Sequence, residues 1–332
     1  MAERVLVTGG SGVVGSAVIR SLIASGRQVV SLQRGALPAA LTALGVQEAR
    51  GDVANAVAVA QAMQGIDGVV HAAARVEIAG PWADFEAINV GGTRAVLDAA
   101  EGAGVSRVVF VSSPSVAHVG EPLVGASASP ADPDRARGNY SRSKALAEVD
   151  ALSRDRPGFA VTAIRPHLVW GVGDTQLTER IIQRARAGRL VTIGSGAALI
   201  DTTYIDNAGD AIVCALDRVA EVGVHGQPLV VSNGEPRTVA EMLTRIAQAA
   251  GAPGPRRAVP FAVARAGGRV LEEYWERSGR PGEPPVTAFL AEQLATAHWF
   301  DQRATRRLLG WTPRVSLDEG FARLAAARGP AA

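Results

Sequence analysis

The sequence has 332 residues, 47% of them hydrophobic and 20% charged, with a formal net charge of +2. This balance excludes an intrinsically disordered chain, and Gly and Pro without any period exclude a collagen-like one. The single cysteine, Cys214, excludes an intramolecular disulfide framework, and together with five scattered histidines it predicts that the chain holds no metal.

Short β-rich runs alternate with longer helical patterns over the first half of the chain, which is typical of a parallel sheet covered by helices. The predicted strands cover residues 4–8, 28–32, 46–50, 68–71, 107–111 and 160–164. The predicted helices cover residues 12–25, 55–64, 84–103 and 141–154. This order predicts an α/β fold with a doubly wound parallel sheet of the Rossmann type.

The pattern changes after Pro166, where strands become sparse and helices dominate. Helices are predicted at residues 178–187, 207–219, 239–250, 265–275 and 317–327, and Gly- and Pro-rich loops at residues 251–255 and 279–285. We therefore predict a core over residues 1–165 and a smaller, mostly helical lobe over residues 166–332 that is interleaved with it.

A glycine-rich motif, Thr8-Gly-Gly-Ser-Gly-Val-Val-Gly15, joins the first strand to the first helix. Glycines at these spacings let the backbone turn tightly and approach a pyrophosphate, while the helix N-terminus supplies unpaired N–H groups. The motif predicts that the core binds a dinucleotide. The residues placed to contact it are Gly9, Ser11, Gly12, Val13, Val14 and Gly15.

The end of the second strand indicates which dinucleotide is bound. An NAD site usually has a carboxylate there, whereas this chain has Gln33 and Arg34, and a guanidinium suits a 2′-phosphate. The sequence therefore favours NADP(H) over NAD(H), with a solvent-facing Arg34 as the alternative. Asp52 is placed to accept from the adenine amino group, or else is a plain helix N-terminal residue. Further cofactor contacts are predicted at Val53, Ala72 and Ala73.

The motif Tyr140-Ser-Arg-Ser-Lys144 places a phenol and an ammonium group on one face of a helix. A phenol with a pKa of ~10 is a poor acid–base catalyst at neutral pH, and we expect the neighbouring ammonium to lower that pKa. Lys144 is also placed to hold the nicotinamide ribose. Ser113, at the end of the fifth strand, is the predicted partner of the reacting oxygen, although Ser112 and Ser115 are near enough to take that role.

Together these motifs resemble those of the extended short-chain dehydrogenase/reductases over nearly the whole chain. Asn89-Val-Gly-Gly-Thr93 is similar to a segment whose asparagine supports the active site in that family, and Arg165-Pro166 begins a strand end that packs beside nicotinamide. The resemblance implies a catalytic group of Ser113, Tyr140, Lys144 and Asn89. It implies cofactor contacts at Ser112, Tyr140, Lys144, Pro166 and Val169.

Other segments resemble the 3β-hydroxysteroid dehydrogenase-like branch of that superfamily, namely Pro114-Ser-Val116, Ala145-Leu-Ala-Glu148 and Thr203-Tyr-Ile-Asp-Asn207. Several more are similar to the 2-alkyl-3-oxoalkanoate reductases of bacterial olefin biosynthesis, namely Pro166-His-Leu-Val-Trp-Gly171, Ser232-Asn-Gly-Glu-Pro236, Phe289-Leu-Ala-Glu-Gln-Leu294 and His298-Trp-Phe300. The resemblance implies an NADP(H)-dependent oxidoreductase that interconverts a ketone and a secondary alcohol on a lipophilic substrate.

Mixed apolar and aromatic segments at residues 258–276 and 286–300 favour that kind of substrate. The residues placed to bind it are Ser115, His118, His167 and Tyr204, with a structural role as the alternative for the two histidines and for Tyr204. A sterol dehydrogenase, a sugar-nucleotide epimerase and a redox-silent NADP-sensing protein remain alternatives. Sugar-nucleotide dehydration is disfavoured because Pro114-Ser115 stands where those enzymes carry an Asp-Glu pair.

The expected location is cytoplasmic, since the N-terminus passes directly into a strand and no apolar run reaches the ~18 residues of a membrane span. The arginine-rich runs fit solvated helix faces better than a nucleic-acid-binding patch. The predicted partner is therefore a lipophilic small molecule. Whether the chain forms a homodimer or associates with other enzymes of its pathway stays open.

Overall fold

The computed structural model describes residues 2–77, 80–118, 120–278 and 284–329, the side chain of Glu276 excepted. Most of the loop predicted at residues 279–285 therefore lies outside the described residues. The strands are β1 (Arg4–Thr8), β2 (Gln28–Gln33), β3 (Gln47–Arg50), β4 (Gly68–His71), β5 (Arg107–Val111), β6 (Leu123–Ala126), β7 (Ala160–Pro166), β8 (Val169–Trp170), β9 (Thr192–Ile193), β10 (Leu199–Ile200), β11 (Thr203–Tyr204), β12 (Pro228–Val231), β13 (Arg237–Thr238), β14 (Ala258–Val259) and β15 (His298–Phe300).

Helices follow most of the strands. They are α1 (Val13–Ala24), α2 (Ala39–Thr42), α3 (Ala56–Ala62), α4 (Trp82–Phe85), α5 (Gly92–Gly102), α6 (Gly138–Ser153), α7 (Thr178–Arg186), α8 (Ile205–Arg218), α9 (Val239–Ala249), α10 (Phe261–Ser278), α11 (Ala288–Ala295), α12 (Arg303–Leu309) and α13 (Leu317–Arg328). A π-helical turn, Glu86–Gly91, connects α4 to α5, and a 3-10 turn, Pro114–Ala117, follows β5. No helix in the described ranges is long and apolar enough to span a bilayer.

A seven-stranded parallel sheet forms the centre of the fold, in the order β12-β7-β5-β4-β1-β2-β3. Its inner strands are buried on both faces, which is why they are almost continuously apolar in sequence. One face packs against α1 and α8, and the other against α3, α5 and α6. The predicted doubly wound sheet is confirmed.

The edge strand β12 comes from the second half of the chain and was not predicted from the sequence. It pairs in parallel with β7, with Val231 opposite Pro166. Helix α8 also returns to the sheet and packs closely on α1. At the contact a Cβ on Gly209 would lie only 2.7 Å from the Ala17 carbonyl carbon, so glycine is needed there. Residues beyond 166 are thus woven into the core, and the boundary between 165 and 166 stays a prediction.

Helices α7, α9 and α13 build a lobe with a core of its own. Its apolar centre lies between α7, α9 and α13, where Trp170 stacks on Phe321 with ring centroids 4.6 Å apart. A small sheet with the order β13-β10-β15-β6 lies next to it. The helices predicted at 178–187, 207–219, 239–250 and 317–327 are found with ends shifted by at most two residues, whereas α11 and the short strands were not predicted.

Two predicted helices differ from the structure in ways that matter for function. The helix expected at residues 84–103 begins at Trp82 and is widened by the π-helical turn Glu86–Gly91. The helix expected from residue 141 begins at Gly138, so that Tyr140 lies within its first turn. Both changes occur next to the predicted catalytic residues.

Candidate active site

The glycine-rich turn between β1 and α1 is built so that no side chain fits inside it. Gly9 has a φ of +72°, and a Cβ there would lie 2.7 Å from the Cα of Ala73. A Cβ on Gly15 would lie 2.2 Å from the Gly9 carbonyl oxygen. Gly12 begins α1 without a side-chain cap, and no acidic residue occupies the first turn. The first-turn N–H groups are therefore suited to an anion, which fits the pyrophosphate of a dinucleotide.

The turn's other predicted contacts are Ser11, which is exposed, and Val13 and Val14, which are half-buried on the first turn of α1. At the end of β2, the Oε1 atom of Gln33 accepts from Ser31, while its buried Nε2 has no hydrogen-bond partner among the described residues. Arg34 follows it and is exposed. A buried amide donor next to an exposed guanidinium is a donor set that fits an anionic ribose substituent.

Asp52 and Val53 lie directly after β3, as predicted, but both have structural contacts. One carboxylate oxygen of Asp52 accepts from the Ala54 amide at 2.9 Å, so the residue stabilises the turn before α3. Val53 is buried against Gly92 of α5. The helix cap is Asn55 rather than Asp52, and the contact of Asp52 with adenine stays a prediction.

Polar side chains fix the loop after β4 against the glycine-rich turn. Thr8 Oγ1 lies 2.6 Å from His71 Nδ1 and accepts from the Ala73 amide at 3.1 Å, and His71 Nε2 lies 3.0 Å from Thr93 Oγ1. Burial lowers the pKa of His71 to about 3, so the ring bridges the two threonines in its neutral form. Ala72 and Ala73 are thereby held with their backbone close to Gly9.

Asn89 lies in the π-helical turn and connects two parts of the site. Its Nδ2 donates to Ser143 Oγ at 2.8 Å and to the Arg75 carbonyl at 3.1 Å, and its Oδ1 accepts from the Arg75 amide at 2.7 Å. Ser143 in turn donates to the Tyr140 carbonyl at 2.8 Å. Single π-helical turns recur at functional sites. Here the turn positions Asn89 to bond both Arg75, in the loop after β4, and Ser143 of α6. The role of Ser143 was not predicted from the sequence.

Ser113 is the serine that the structure brings to Tyr140. The Ser113 hydroxyl is near enough to the phenol to act on its pKa, and Ser113 Oγ lies 3.0 Å from Ser115 Oγ. The hydroxyl of Ser112 is buried and has no hydrogen-bond partner among the described residues. Ser113 caps the 3-10 turn after β5, where its hydroxyl accepts from the Ser115 amide at 3.3 Å.

Lys144 lies one helical turn after Tyr140 and is 2% exposed. Its Nζ donates to the Val111 carbonyl at 2.7 Å and lies 4.0 Å above the centre of the Phe110 ring. Burial lowers the pKa of this amine to about 7, although the carboxylate of Glu148 acts in the opposite direction. Lys144 is also the only lysine in the sequence.

The expectation that Lys144 lowers the pKa of Tyr140 is corrected by this geometry. Burial raises the pKa of the phenol, and the Ser113 side chain only partly offsets that effect. The lysine does not oppose the rise because its amine points to Val111 and is itself only partly charged at neutral pH. In the protein without bound ligand, Tyr140 is therefore a protonated phenol.

Beneath this group, a buried ion pair joins α6 to β7. Arg165 donates through Nε to Glu148 at 2.9 Å, a second bond joins its Nη2 to the same carboxylate, and Nη1 donates to the Ser129 carbonyl at 2.8 Å. Pro166 then ends β7 and is buried, and Val169 is half-buried in β8. Between them Leu168 has a φ of +43°, a strained conformation that sequence reasoning did not indicate.

The residues predicted to bind substrate do not form a single group. His118 and His167 belong to a buried cluster with His298, whose ring centroid lies 5.0 Å from that of His167, and burial lowers the pKa of all three imidazoles. Tyr204 is 2% exposed and packs edge-on against Trp170 in the core of the helical lobe. These positions correspond to the structural alternatives, and of the predicted set only Ser115 lies next to the Ser113 hydroxyl.

A cleft of about 530 Å³ lies instead between the N-terminus of α6 and helices α10 and α11. Tyr140 is part of its wall. Its apolar lining comes from Trp275, Pro284, Ala288 and Phe289, and its charged lining from Arg137, Arg265, Arg269, Glu272, Glu273 and Glu292. The mixed apolar and aromatic segments at 258–276 and 286–300 predicted that this part of the chain contacts the substrate. The individual residues of the cleft were not predicted.

Residues 6–261 match the model of the 3-beta hydroxysteroid dehydrogenase/isomerase family, which covers more than half of the chain. The chain belongs to this family. It is an oxidoreductase that acts on CH–OH groups, as its sheet, its glycine-rich turn and its Tyr140–Lys144 pair had predicted.

Relatives of this 3β-hydroxysteroid dehydrogenase-family enzyme extend over its whole length. It is 39% identical over 327 residues to a 2-alkyl-3-oxoalkanoate reductase of Stenotrophomonas maltophilia, covering 97% of this chain and 98% of the relative. It is 37% identical over 332 residues to a 2-alkyl-3-oxoalkanoate reductase of Shewanella oneidensis, covering 96% and 85%.

Among solved structures, the family member resembles MoeE5 in complex with UDP-glucose and NAD. The TM-score is 0.73 at 25% identity, and the match covers 98% of both chains. The extended short-chain dehydrogenase/reductase fold and a nicotinamide cofactor are thus supported.

Proposed function

We propose that this enzyme interconverts a 2-alkyl-3-oxoalkanoate and the corresponding 2-alkyl-3-hydroxyalkanoate, with NADP(H) as the cofactor. The observation that carries the proposal is the position of Tyr140, with Ser113 acting on its phenol, in the wall of a cleft that has aromatic and charged lining. Two relatives matched over nearly the whole chain have names that support this substrate class.

The proposed roles follow from the positions of the side chains. A bound nicotinamide supplies or accepts the hydride. Ser113 hydrogen-bonds the ketone oxygen and orients it towards Tyr140, whose protonated phenol donates the proton that the new alkoxide oxygen needs. Lys144, one helical turn after Tyr140, is proposed to hold the nicotinamide ribose. Asn89, through Ser143, holds the backbone of Tyr140 in place.

Cofactor choice is the first test of the proposal. Arg34→Ala should lower the ratio of kcat/KM for NADPH to that for NADH by about 10- to 150-fold, because a hydrogen bond to a charged group contributes about 1.5–3 kcal/mol. The ratio is measured for wild type and variant from initial rates with each reduced cofactor. Gln33 stays in place, so the neutral ribose contacts are retained.

Arg20→Ala serves as the matched control for that experiment, since Arg20 is an exposed arginine of α1 away from the end of β2. It removes the same charge and should leave the cofactor ratio unchanged. A wild-type enzyme that prefers NADH would contradict the assignment of NADP(H).

Substrate length is the second test. With racemic 2-alkyl-3-hydroxy acids and NADP⁺, KM should fall roughly fourfold for each added methylene until the cleft is filled, because one buried CH₂ contributes about 0.8 kcal/mol. The apolar lining from Trp275, Ala288 and Phe289 provides the surface for this burial. The measurement is KM against chain length over a homologous series.

A 3β-hydroxysteroid and a UDP-sugar belong in the same assay as comparison substrates. Turnover of the steroid in preference to every acid would favour a sterol dehydrogenase. Activity on the UDP-sugar alone would overturn the substrate assignment and leave the roles of Ser113, Tyr140 and Lys144 standing.

A further inference from the structure

Three arginines, Arg137, Arg265 and Arg269, line the cleft beside Tyr140 together with three glutamates, and the arginines differ in their pairing. Arg137 and Arg265 both pair with the single carboxylate of Glu292, the latter at 3.0 Å. Arg269, one helical turn after Arg265 on α10, lines the same cleft and is exposed. No hydrogen bond or ion pair of Arg269 is found within the described ranges.

The other carboxylates of the cleft have partners of their own. Glu273 pairs with Arg277 at 2.6 Å, and Glu272 accepts from the Ala288 amide at 3.1 Å. Arg265 and Arg269 are like charges four residues apart on one helix, a spacing at which like charges are destabilising. An arginine in this setting is suited to bind a carboxylate, and its planar fork does so in bidentate geometry.

We infer that Arg269 binds the carboxylate of the substrate, with Arg265 beside it, and so selects a 3-oxo acid over a neutral ketone. This inference rests on the proposed function. In a 3-oxo acid one carbon separates the carboxylate from the ketone, so the group that binds it must line the same cleft as the proton donor. Arg269 and Tyr140 meet this condition.

The test compares a 2-alkyl-3-hydroxy acid with its methyl ester, both oxidised with NADP⁺. Arg269→Gln should raise KM for the acid by about 10- to 100-fold, the loss expected for a hydrogen bond to a charged group. The ester has no carboxylate for Arg269 to bind, so its kcat/KM should change by less than about threefold. Arg269→Lys, which keeps the charge but not the fork, should lie between wild type and Arg269→Gln for the acid.

Arg256→Gln is the matched control. It removes another exposed arginine, which lies before α10 and outside the cleft, and should alter neither substrate's KM. Equal losses for acid and ester in Arg269→Gln, or no loss for either, would overturn the inference while leaving the proposed function intact. A wild-type enzyme that oxidises neither acid nor ester would overturn the proposed function and the inference with it.

Discussion

Tyr140→Phe should lower turnover by about 10²- to 10⁴-fold in both directions, the range of general acid–base catalysis, with little change in cofactor affinity. The substitution removes one hydroxyl and keeps the ring of a half-buried side chain. Burial raises the pKa of that hydroxyl, so it is a protonated donor at neutral pH. The measurements are kcat for 2-alkyl-3-hydroxy acid oxidation and for ketone reduction, and the Kd of NADPH from fluorescence.

The same assignment fixes the direction of the pH dependence. Alcohol oxidation requires the deprotonated phenol, whose population rises about tenfold with each pH unit below its pKa, so kcat/KM for oxidation should rise steadily from pH 7 to pH 9. Reduction uses the protonated phenol and should stay nearly flat over this range. Tyr140→Phe should lose the rise in oxidation.

Tyr204→Phe is the control for both experiments. It removes a phenolic hydroxyl from the core of the helical lobe, away from the cleft, and should keep wild-type turnover and pH dependence. Near-normal turnover in Tyr140→Phe would show that another group supplies the proton.

The first part of the sheet was predictable because its signals are local. Strands β4 and β5 have the predicted bounds, and Asn55 accepts from the Val57 and Ala58 amides as the predicted cap of α3. An apolar run between polar residues, or an asparagine before a helix, acts within a few residues of chain. Such signals can be recognised in a sequence whose fold is unknown.

The elements that were not predicted depend on distant parts of the chain. Strand β12 is a four-residue run whose partner β7 lies far away in sequence, so its role is set by tertiary pairing. Helix α6 begins at Gly138 without a side-chain cap, and the glycine and Asn139 before Tyr140 are typical loop residues.

The candidate site likewise has features that a local sequence pattern predicts and features that depend on distant parts of the chain. The motif spacing placed Tyr140 and Lys144 on one helix face, but it gave the wrong direction for the pKa of Tyr140. That direction depends on where the amine of Lys144 points and on how deeply both groups are buried. The cleft arginines were missed for a similar reason. Their pairing with Glu292 joins α10, α11 and the residue before α6, which no local pattern reveals.

Lys144→Met should abolish most activity, by about 10²-fold or more, and should also remove a pH dependence of stability. Burial depresses the folded-state pKa of Lys144 to about 7, from an ordinary value of 10.5. Between these values the unfolded chain binds the extra proton, so the wild type gains stability as pH rises from 7 towards 10.5. From pH 7 to pH 9 this amounts to about 2 kcal/mol, since each pKa unit corresponds to about 1.36 kcal/mol.

Methionine has a similar length and does not titrate, so Lys144→Met should lack this gain. The quantity to measure is the difference in the free energy of unfolding between variant and wild type, from urea denaturation at pH 7, 8 and 9. The pH-dependent contributions of the titratable groups that both proteins share cancel in that difference. A difference that stays constant with pH would mean that Lys144 keeps an ordinary pKa in the folded state.

A direct measurement is available because Lys144 is the only lysine in the sequence. Protein labelled with ¹³C at the lysine ε-carbon should give a single side-chain resonance, whose shift follows the charge of this amine alone. We expect it to titrate near pH 7 in the folded protein and near 10.5 after unfolding. The partly neutral amine also explains why Tyr140 keeps its proton without ligand. A folded-state midpoint near 10.5 would mean that Lys144 is fully charged at neutral pH and positioned to lower the pKa of Tyr140, as the sequence motif alone suggests.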